Sequence, residues 1–310
     1  MSDPSLLIVI LGPTASGKSA LAIRLAEVFG GEIVVCDSTQ VYRHFDIGTA
    51  KVPPAEQRGV PHHLVDIVEP TEVFTAGEYR RRALAVLDDL RHRGKLAILT
   101  AGTGLYLRAL LEGLSEAPER SEELRDRLRE KASRRGAEYL HRLLVRLDPA
   151  TATRIAPRDT PKIIRAIEMR LLTGKPVGEI HGTGRSGLEG YSVRKIGLAP
   201  ERPALYARID ARAREMIRAG WVDEVRALIA AGVPADSKPF QFIGYSELRQ
   251  HLEGGLSEND AVTQIQQATR QFAKRQITWY RRESGVNWLP GFGDDRKIQS
   301  AAIEIVRGPE

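Results

Sequence analysis

The sequence predicts an α/β fold in which a parallel sheet is flanked by helices and a small all-helical domain is inserted into the core. Short runs of branched apolar residues, such as Leu6–Leu11, are typical of strands buried on both faces of a parallel sheet. Over the first hundred residues these runs alternate with amphipathic stretches, as in a doubly wound sheet. Residues 116–184 break the alternation with helical patterns alone. We therefore expect a catalytic core of residues 1–115 and 185–310 around a helical insertion at 116–184.

In the first part of the chain, strands and helices alternate regularly. Strands are predicted at Leu6–Leu11, Ile33–Cys36 and Leu96–Ala101. One helix is expected from Lys18 to Phe29, where two glycines follow. A second helix, Thr75–Arg93, begins with the spacing of a capping box and ends at a glycine.

The remainder is predicted to be mainly helical. Two helices are expected in the insertion, at Glu122–Leu147 and Pro161–Leu172, and the glycine-rich residues 182–187 are typical of a loop or hinge. A strand at Val193–Leu198 would return to the sheet. Four helices would follow it, at residues 203–219, 221–231, 244–253 and 257–282.

Composition excludes several classes of protein. A hydrophobic content of 42% with 28% charged residues is typical of globular chains, so the chain is neither disordered nor fibrous. The single cysteine, Cys36, forbids an internal disulfide and a multi-cysteine zinc site. Leu6–Leu11 is the longest apolar run and is far shorter than the about 20 residues that span a bilayer. The first four residues lack the pattern of a signal peptide, so we expect a cytoplasmic protein that does not bind membranes. Because no interface pattern stands out, we also expect a monomer.

The net charge of +6 is concentrated in one segment. Between Arg120 and Lys175 there are 15 basic and 8 acidic residues, so this part of the insertion carries the whole excess. Net charge bears on association with polyanions rather than on fold. The insertion is therefore predicted to contact a polyanionic partner.

The strongest motif lies between the first strand and the first helix, where residues 12–19 match G-x-x-x-x-G-K-[ST]. Backbone amides and the helix N-terminus would hold phosphate oxygens, Lys18 would neutralise them, and the Ser19 hydroxyl would ligate Mg²⁺. The motif predicts a P-loop NTPase-like core with a site for a diphosphate or a triphosphate. Loops of this kind are commonly described as nucleotide-binding or ATP-binding. The motif does not identify the phosphate ester. Its members are Gly12, Pro13, Thr14, Ala15, Ser16, Gly17, Lys18 and Ser19.

Two other motifs follow predicted strands. Asp37 begins the stretch DSTQVYR, and Thr103 lies in a Gly-Thr-Gly turn. Ligands bind at the carboxyl ends of the strands in open α/β sheets, so we expect Asp37 to face the phosphate loop. Its carboxylate could be a metal ligand, a general base, a hydrogen-bond acceptor or only a turn cap. The Gly-Thr-Gly turn could likewise be a tight connection. The pair His62-His63 is better explained as the start of a strand than as a metal site, because no further zinc ligand is suitably spaced.

A late helical segment, residues 269–282, is both basic and aromatic. Arg270, Lys274 and Arg275 would point outward from it. These side chains could be a solvated helix face or a surface that contacts nucleic-acid phosphates. Together with the basic insertion, they favour a large polyanionic partner.

Taken together, these blocks resemble those of the tRNA dimethylallyltransferases, also called tRNA isopentenyltransferases. They occur in the family's order over nearly the whole chain. The matching blocks are GPTASGKS at 12–19, DSTQVYR at 37–43, DIGTAK at 46–51, HHLVDI at 62–67, FTAGEYRRRA at 74–83, AGTGLY at 101–106, RAIE at 165–168, RIDARAREMIRAGWVDEV at 208–225, IGYSEL at 243–248 and TRQFAKRQITWYR at 269–281.

The resemblance implies transfer of a dimethylallyl group from dimethylallyl diphosphate to the N6 amine of the adenine immediately 3′ of the anticodon. It implies that the P-loop holds the donor's diphosphate with Mg²⁺, while Lys18 and Arg212 neutralise the charge of the leaving group. It assigns Asp37 as the general base, with Thr14 and Thr103 near the reacting groups.

The resemblance also implies a tRNA anticodon stem-loop as partner. The chain departs from the family pattern at Thr39, at Ala101 and at residues 159–164, where Asp-Pro-Gln-Arg is usual. Lys162 and Arg165 are nevertheless expected to contact phosphates. The residues assigned to tRNA are Asp37, Ser38, Thr39, Gln40 and Thr103 around the target nucleotide, Pro161, Lys162, Ile163, Ile164 and Arg165 in the insertion, and Arg270, Lys274 and Arg275 on the late helix.

Three other functions share part of this pattern. An adenylate isopentenyltransferase would need the same loop and aspartate, but it has no use for the basic insertion or for the IGYSEL and TRQFAKRQ blocks. A P-loop small-molecule kinase would need a nucleobase-binding region and an arginine lid. An RNA-binding module that uses ATP as a switch is supported only by the basic surfaces.

Overall fold

The computed structural model describes residues 4–115, 117–182 and 186–308. They form a mixed α/β fold with a six-stranded sheet flanked by helices, which confirms the predicted fold class. The chain divides into two compact units, the insertion Leu111–Leu188 and a core formed by the residues before and after it. The predicted insertion, 116–184, falls inside the observed one. The predicted loop at 182–187 lies partly outside the described residues, as do residues 1–3 of the N-terminal pattern.

The strands of the sheet are β1 (Ser5–Leu11), β2 (Glu32–Cys36), β3 (His62–His63), β4 (Ala97–Ala101), β5 (Tyr191–Leu198) and β6 (Val286–Leu289). All pairings are parallel, and the strand order is β3-β2-β4-β1-β5-β6. The central strand β1 is buried from Leu7 to Leu11, as its unbroken apolar sequence predicts. It pairs with β4 on one side and β5 on the other.

The helices follow the sequence patterns closely at their ends. The helix after the P-loop ends at Gly30, whose φ of 63° lies in the left-handed region that glycine adopts without strain. The Thr75 side chain caps the next helix by accepting a hydrogen bond from the Glu78 amide. In chain order the described helices are α1 (Lys18–Phe29), α2 (Ala76–His92), α3 (Gly104–Glu112), α4 (Glu122–Arg135), α5 (Ala137–Leu147), α6 (Pro149–Ala152), α7 (Thr160–Thr173), α8 (Val177–Gly182), α9 (Arg202–Arg218), α10 (Trp221–Ala230), α11 (Tyr245–Leu252), α12 (Glu258–Tyr280) and α13 (Arg296–Arg307).

The structure corrects the prediction at several places. The expected single helix Glu122–Leu147 is broken at Gly136, whose φ of 82° ends α4 and begins α5. The strand β6 was not predicted, because its four residues include Asn287 and the exposed Trp288 and so lack an apolar run. Helices α3, α6, α8 and α13 were also missed.

The insertion has its own hydrophobic core, formed by α4, α5, α6, α7 and α8. Leu140 and Leu144 from α5 are fully buried in it. Glu168 of α7 is buried as well, and it accepts hydrogen bonds from the Arg125 and Arg165 guanidinium groups and from the Ser121 amide. Burial alone would raise the pKa of this carboxyl, but these donors outweigh it and hold the pKa at about 2. A charged network therefore fixes α4 to α7.

Among the residues that the structure describes, no helix combines the length and the apolar character needed to cross a membrane.

We predict that Leu144→Ala lowers the free energy of unfolding of the insertion by about 2–5 kcal/mol, because it leaves a cavity in this small core. Val145→Ala on the same helix is the matched control, since Val145 is 44% exposed. The control should change the stability by no more than about 0.5 kcal/mol. The stability changes of both variants are measured by urea denaturation, with hydrogen exchange of the backbone amides of the insertion as the readout. Equal effects of the two substitutions would contradict the packing described here.

Candidate active site

The predicted site residues converge at the carboxyl edge of the sheet. The P-loop follows β1, Asp37 follows β2 and Thr103 lies two residues beyond β4. These three strands are neighbours in the order β2-β4-β1, so their ends lie side by side. Two cavities meet at this edge, one polar and one largely apolar.

The P-loop wraps the N-terminus of α1 and is tightly packed. Gly17 has a φ of 88°, and a Cβ on it would lie 2.7 Å from the Gly293 amide nitrogen. The Gly293 amide in turn donates a hydrogen bond of 2.9 Å to the Ser16 carbonyl oxygen. The first amides of α1 have no partner within the helix, and they are donors for an anion. The buried Ser16 hydroxyl also has no hydrogen-bond partner among the described residues, as expected where a ligand oxygen binds.

Lys18 is held inside the loop. Its Nζ donates hydrogen bonds to the carbonyl oxygens of Gly12 and Pro13, at 2.8 and 2.9 Å. Burial lowers the pKa of this ammonium to about 8, although the nearby Asp37 carboxylate raises it and the Arg212 guanidinium lowers it further. Lys18 is therefore a cation whose desolvation is only partly compensated, and an anion would stabilise its charge.

Two arginines of α9 flank the same cleft. Arg208 forms an ion pair of 2.7 Å with Asp294. In the described chain no carboxylate lies within 4 Å of the Arg212 guanidinium, and burial together with the charge of Arg208 lowers the pKa of Arg212. Arg212 thus adds an unpaired positive charge to the cleft.

Asp37 is fixed by the residues around it. Its Oδ1 accepts hydrogen bonds from the Thr39 amide (2.8 Å) and the Thr39 hydroxyl (2.6 Å). The other oxygen, Oδ2, lies against Gly102, where an added Cβ would come within 2.1 Å of it. Thr103 Oγ1 accepts a hydrogen bond of 2.9 Å from the Ser38 amide, which ties the end of β4 to the segment that carries Asp37.

The two cavities share a boundary that includes Asp37. The polar cavity, of about 800 Å³, contains the P-loop, Lys18 and Ser19. The apolar cavity, of about 470 Å³, lies between faces of α9 and α12. Residues that line both include Thr14, Asp37, Gly102, Arg212 and Gln276. The apolar walls are formed by Ile209, Ala213, Met216, Trp221, Phe242, Ile243, Ile265, Phe272 and Trp279.

This arrangement is suited to a displacement with an anionic leaving group. Phosphates would bind at the P-loop end, an apolar group would occupy the junction, and Asp37 could take a proton there. No cluster of three His, Cys, Asp or Glu side chains within the described ranges could hold a metal alone. The hydroxyl of Ser19 lines the polar cavity, which fits a Mg²⁺ ion bound chiefly through phosphate oxygens.

The core residues that were predicted to contact tRNA lie in several different places. Ser38, Thr39 and Arg275 line the apolar cavity, and Gln40 lines the polar one. Lys274 is exposed on α12. Arg270 forms an ion pair with Asp210 of α9, so its charge is partly engaged within the protein.

In the insertion, the structure corrects two of the predicted contacts. The side chains of Ile163 and Ile164 are buried in its hydrophobic core, so they cannot reach RNA. Pro161 and Lys162 are exposed at the start of α7, and Lys162 pairs with Asp159 at 2.5 Å. Arg165 is half-buried and pairs with Glu168 at 2.6 Å, which gives it a structural role within the insertion.

Sequence reasoning missed two features that shape the site. Gln276 lies on the buried face of α12, between Phe272 and Tyr280. A polar residue on the buried face of a helix is the signal that could have identified it. No local pattern indicates that position 102 must be glycine, because this need arises from the position of the Asp37 side chain.

Comparison with known proteins gives consistent results. A family model described as IPP transferase matches residues 40–283. The chain is 53% identical to a tRNA dimethylallyltransferase of Solibacter usitatus over 97% of both chains. It is 54% identical to one of Koribacter versatilis over 99% of both.

Solved structures of similar proteins cover both units. The full-length tRNA isopentenylpyrophosphate transferase of Bacillus halodurans is 35% identical, with a TM-score of 0.72 over 98% of this chain and 96% of that one. A eukaryotic dimethylallyltransferase acting on tRNA has a TM-score of 0.79 and 28% identity, over 92% of this chain and 74% of that one.

We predict that the affinity for inorganic pyrophosphate falls as the pH rises above about 8. The Lys18 pKa of about 8 means that the free protein then loses the charge that the anion needs, so binding must take up a proton. The dissociation constant should rise by up to about tenfold per pH unit. Titration calorimetry between pH 7 and 9.5 measures it.

Lys18→Arg provides the control for this pH dependence, because a guanidinium stays protonated over the whole range. Any change of its affinity with pH then comes from the ionisation of pyrophosphate itself, so its dissociation constant should not show the rise expected of the unsubstituted protein. A pH-independent affinity in the unsubstituted protein, or the same pH dependence in both proteins, would show that Lys18 is not the titrating group.

Proposed function

The chain belongs to the IPP transferase family, and on that premise we propose that it transfers a dimethylallyl group from dimethylallyl diphosphate to tRNA. The acceptor atom is the N6 amine of the adenine immediately 3′ of the anticodon, and the products are N6-dimethylallyladenosine and diphosphate. The observation that carries the proposal is the junction at Asp37, where the polar cavity lined by the P-loop meets an apolar cavity.

The polar cavity is suited to the diphosphate of the donor. The amides at the N-terminus of α1, Lys18 and Arg212 provide fixed donors and positive charge for the leaving group. Ser19 would hold Mg²⁺ together with the phosphate oxygens. When bound, the ion supplies further neutralisation of the charge that develops on the diphosphate. Thr14, which lines both cavities, lies where the leaving oxygen and the allylic carbon would separate.

The reaction is a displacement at the allylic carbon. The bond from that carbon to the diphosphate oxygen breaks with its electron pair, and a bond to N6 forms. An adenine amine is a weak nucleophile because its lone pair is delocalised into the ring. Asp37 would accept the N6 proton as the new bond forms. Its Oδ1 is already occupied by two hydrogen bonds from Thr39, which hold the carboxylate in place for this task.

The apolar cavity is suited to a base removed from its stack. A base in the anticodon loop must leave the stack before an enzyme can enclose its exocyclic amine. Phe272 and Trp279 provide aromatic surface for it, while Ser38, Thr39 and Thr103 provide polar groups.

The insertion would bind the anticodon stem-loop. Its excess of basic residues between Arg120 and Lys175 supports binding to phosphates and to the shape of the RNA. Lys162, exposed on α7, would contact a phosphate by leaving its surface ion pair with Asp159. On the core, Lys274 and Arg275 of α12 would also contact phosphates of the RNA. Arg270 could do so only by breaking its ion pair with Asp210. We propose action as a monomer in the cytoplasm, where the tRNA acceptor is found.

A single assay tests the proposal against its alternatives. The protein is incubated with Mg²⁺, dimethylallyl diphosphate and an unmodified tRNA whose anticodon is followed by adenine, with AMP, ADP and ATP in parallel reactions. Prenylated tRNA, identified by mass spectrometry of its nucleosides, is the expected product. Prenylation of AMP without tRNA would instead identify an adenylate isopentenyltransferase. Phosphoryl transfer or ATP hydrolysis without prenylation would exclude the proposed chemistry.

We predict that Asp37→Asn lowers the rate of transfer by about 10²–10⁴-fold, the range for loss of a general base. The amide keeps the shape of the side chain and an acceptor for Thr39, so binding of tRNA and of the donor should change only a few-fold. Single-turnover kinetics and equilibrium binding measure the two effects. Asp88→Asn, at an exposed position of α2, controls for loss of a carboxylate. Equal losses of binding and rate would make Asp37 a recognition residue.

A further inference from the structure

Gln276 of α12 is a buried polar side chain to which the proposed reaction gives no role. It is 7% exposed, and both ends of its amide are engaged. Its Oε1 accepts a hydrogen bond of 2.7 Å from the Thr14 backbone amide, and its Nε2 donates one of 2.8 Å to the Gly102 carbonyl oxygen. One side chain therefore joins the P-loop to the segment after β4.

The Gly102 end of this link lies against the proposed base. The amides of Gly102 and Thr103 donate hydrogen bonds of 2.9 and 3.0 Å to the carbonyl oxygen of Cys36, the residue before Asp37. The Gly102 Cα also faces Asp37 Oδ2 so closely that no side chain would fit between them. A shift of Gly102 must therefore move the Asp37 carboxylate.

The Thr14 end of the link lies in the loop proposed to hold the diphosphate. A turn with a hydrogen bond of 3.2 Å from the Ser16 amide to the Pro13 carbonyl oxygen encloses Thr14. Ala15, the next residue, packs against Leu205, Ile209 and Ala273. The Thr14 amide is the point at which this loop is hydrogen-bonded to α12.

The helix that carries Gln276 is itself fixed. One turn later, the buried Tyr280 hydroxyl donates a hydrogen bond of 2.9 Å to the Ala101 carbonyl oxygen. The buried Ala273 anchors the preceding turn. Gln276 therefore extends from a rigid element, which is what exact placement of two reacting groups requires.

We propose that Gln276 is a positioning residue that sets the separation between the donor's phosphate loop and the Asp37 carboxylate. The proposal rests on the proposed prenyl transfer. That reaction requires the allylic carbon to lie between its leaving oxygen and N6, with the base beside N6, so an error of about 1 Å costs about 10²-fold in rate. Gln276 need not touch either substrate to prevent such an error.

Gln276→Met tests this role, because it keeps the length of the side chain and removes both hydrogen bonds. Gln266 provides a matched control on the same helix. It is 8% exposed, its Nε2 donates a hydrogen bond of 2.9 Å to the Asp210 carbonyl oxygen, and neither Gln266 nor Asp210 lines a cavity of the site. The unsubstituted protein and the variants Gln276→Met and Gln266→Met are compared by single-turnover transfer to tRNA, by binding of each substrate and by thermal unfolding.

We expect Gln276→Met to lower the single-turnover rate by about 10²-fold, with both dissociation constants within about threefold of the parent values. Gln266→Met should lower the melting temperature by a similar amount and leave the rate within about threefold. A Gln276→Met rate close to that of the parent overturns the inference. So does an equal rate loss in Gln266→Met, or a rate loss that is matched by a loss of substrate affinity.

A second variant covers the case in which Gln276→Met does not fold. Gln276→Glu keeps an acceptor for the Thr14 amide but replaces the donor to Gly102 with an oxygen that the carbonyl repels. It should lower the rate by at least tenfold at neutral pH; an unchanged rate overturns the inference. The unsubstituted protein distinguishes the two levels of the argument. If it does not prenylate tRNA, the proposed function fails, whereas failure of the variants alone concerns Gln276.

Discussion

The site depends on the close approach of the Asp37 carboxylate to the backbone of Gly102. A Cβ at position 102 would lie 2.1 Å from Asp37 Oδ2, so the two residues can be neighbours only if one of them is glycine. The sheet enforces the approach, because β2 and β4 pair in parallel with Cys36 opposite Ala101. Asp37 is the residue after β2, and Gly102 is the residue after β4, so the two lie next to each other. The order β2-β4-β1 therefore places the carboxylate against the end of β4, one strand away from the P-loop strand, through backbone pairing alone.

Much of this arrangement could be predicted from local sequence. Buried parallel strands have unbroken apolar runs, and the P-loop has a fixed spacing between a strand and a helix, so β1, β2, β4 and α1 were all identified. Asp37 followed from the rule that ligands bind where parallel strands end. These signals need only neighbouring residues. The break at Gly136 was also local in origin, but one glycine in a strongly charged helical pattern does not reveal whether the helix continues or ends.

The remainder depends on contacts between distant residues, which no local pattern records. Gln276 is 262 residues from Thr14 and 174 from Gly102, and its meaning comes only from meeting both. The same holds for Arg270, which resembles an RNA contact in sequence and is paired with Asp210 in the structure. Ile163 and Ile164 were assigned to RNA by position in a motif. Their side chains instead form part of the insertion's core, as apolar residues on a helix usually do.

Positive charge in this protein divides into two kinds, and their partners distinguish them. Arg125 and Arg165 are neutralised by the buried Glu168, so they stabilise the insertion and contribute little to its outer field. Lys18 and Arg212 are held without a carboxylate in contact with them within the described chain, and burial lowers the pKa of each. Keeping such charges unpaired destabilises the free protein, since each has lost water without gaining a counter-ion. The same lack of compensation lets them act strongly on an arriving diphosphate, because no internal ion pair must break first. The net charge of +6 does not distinguish these roles, whereas the geometry of the partners does.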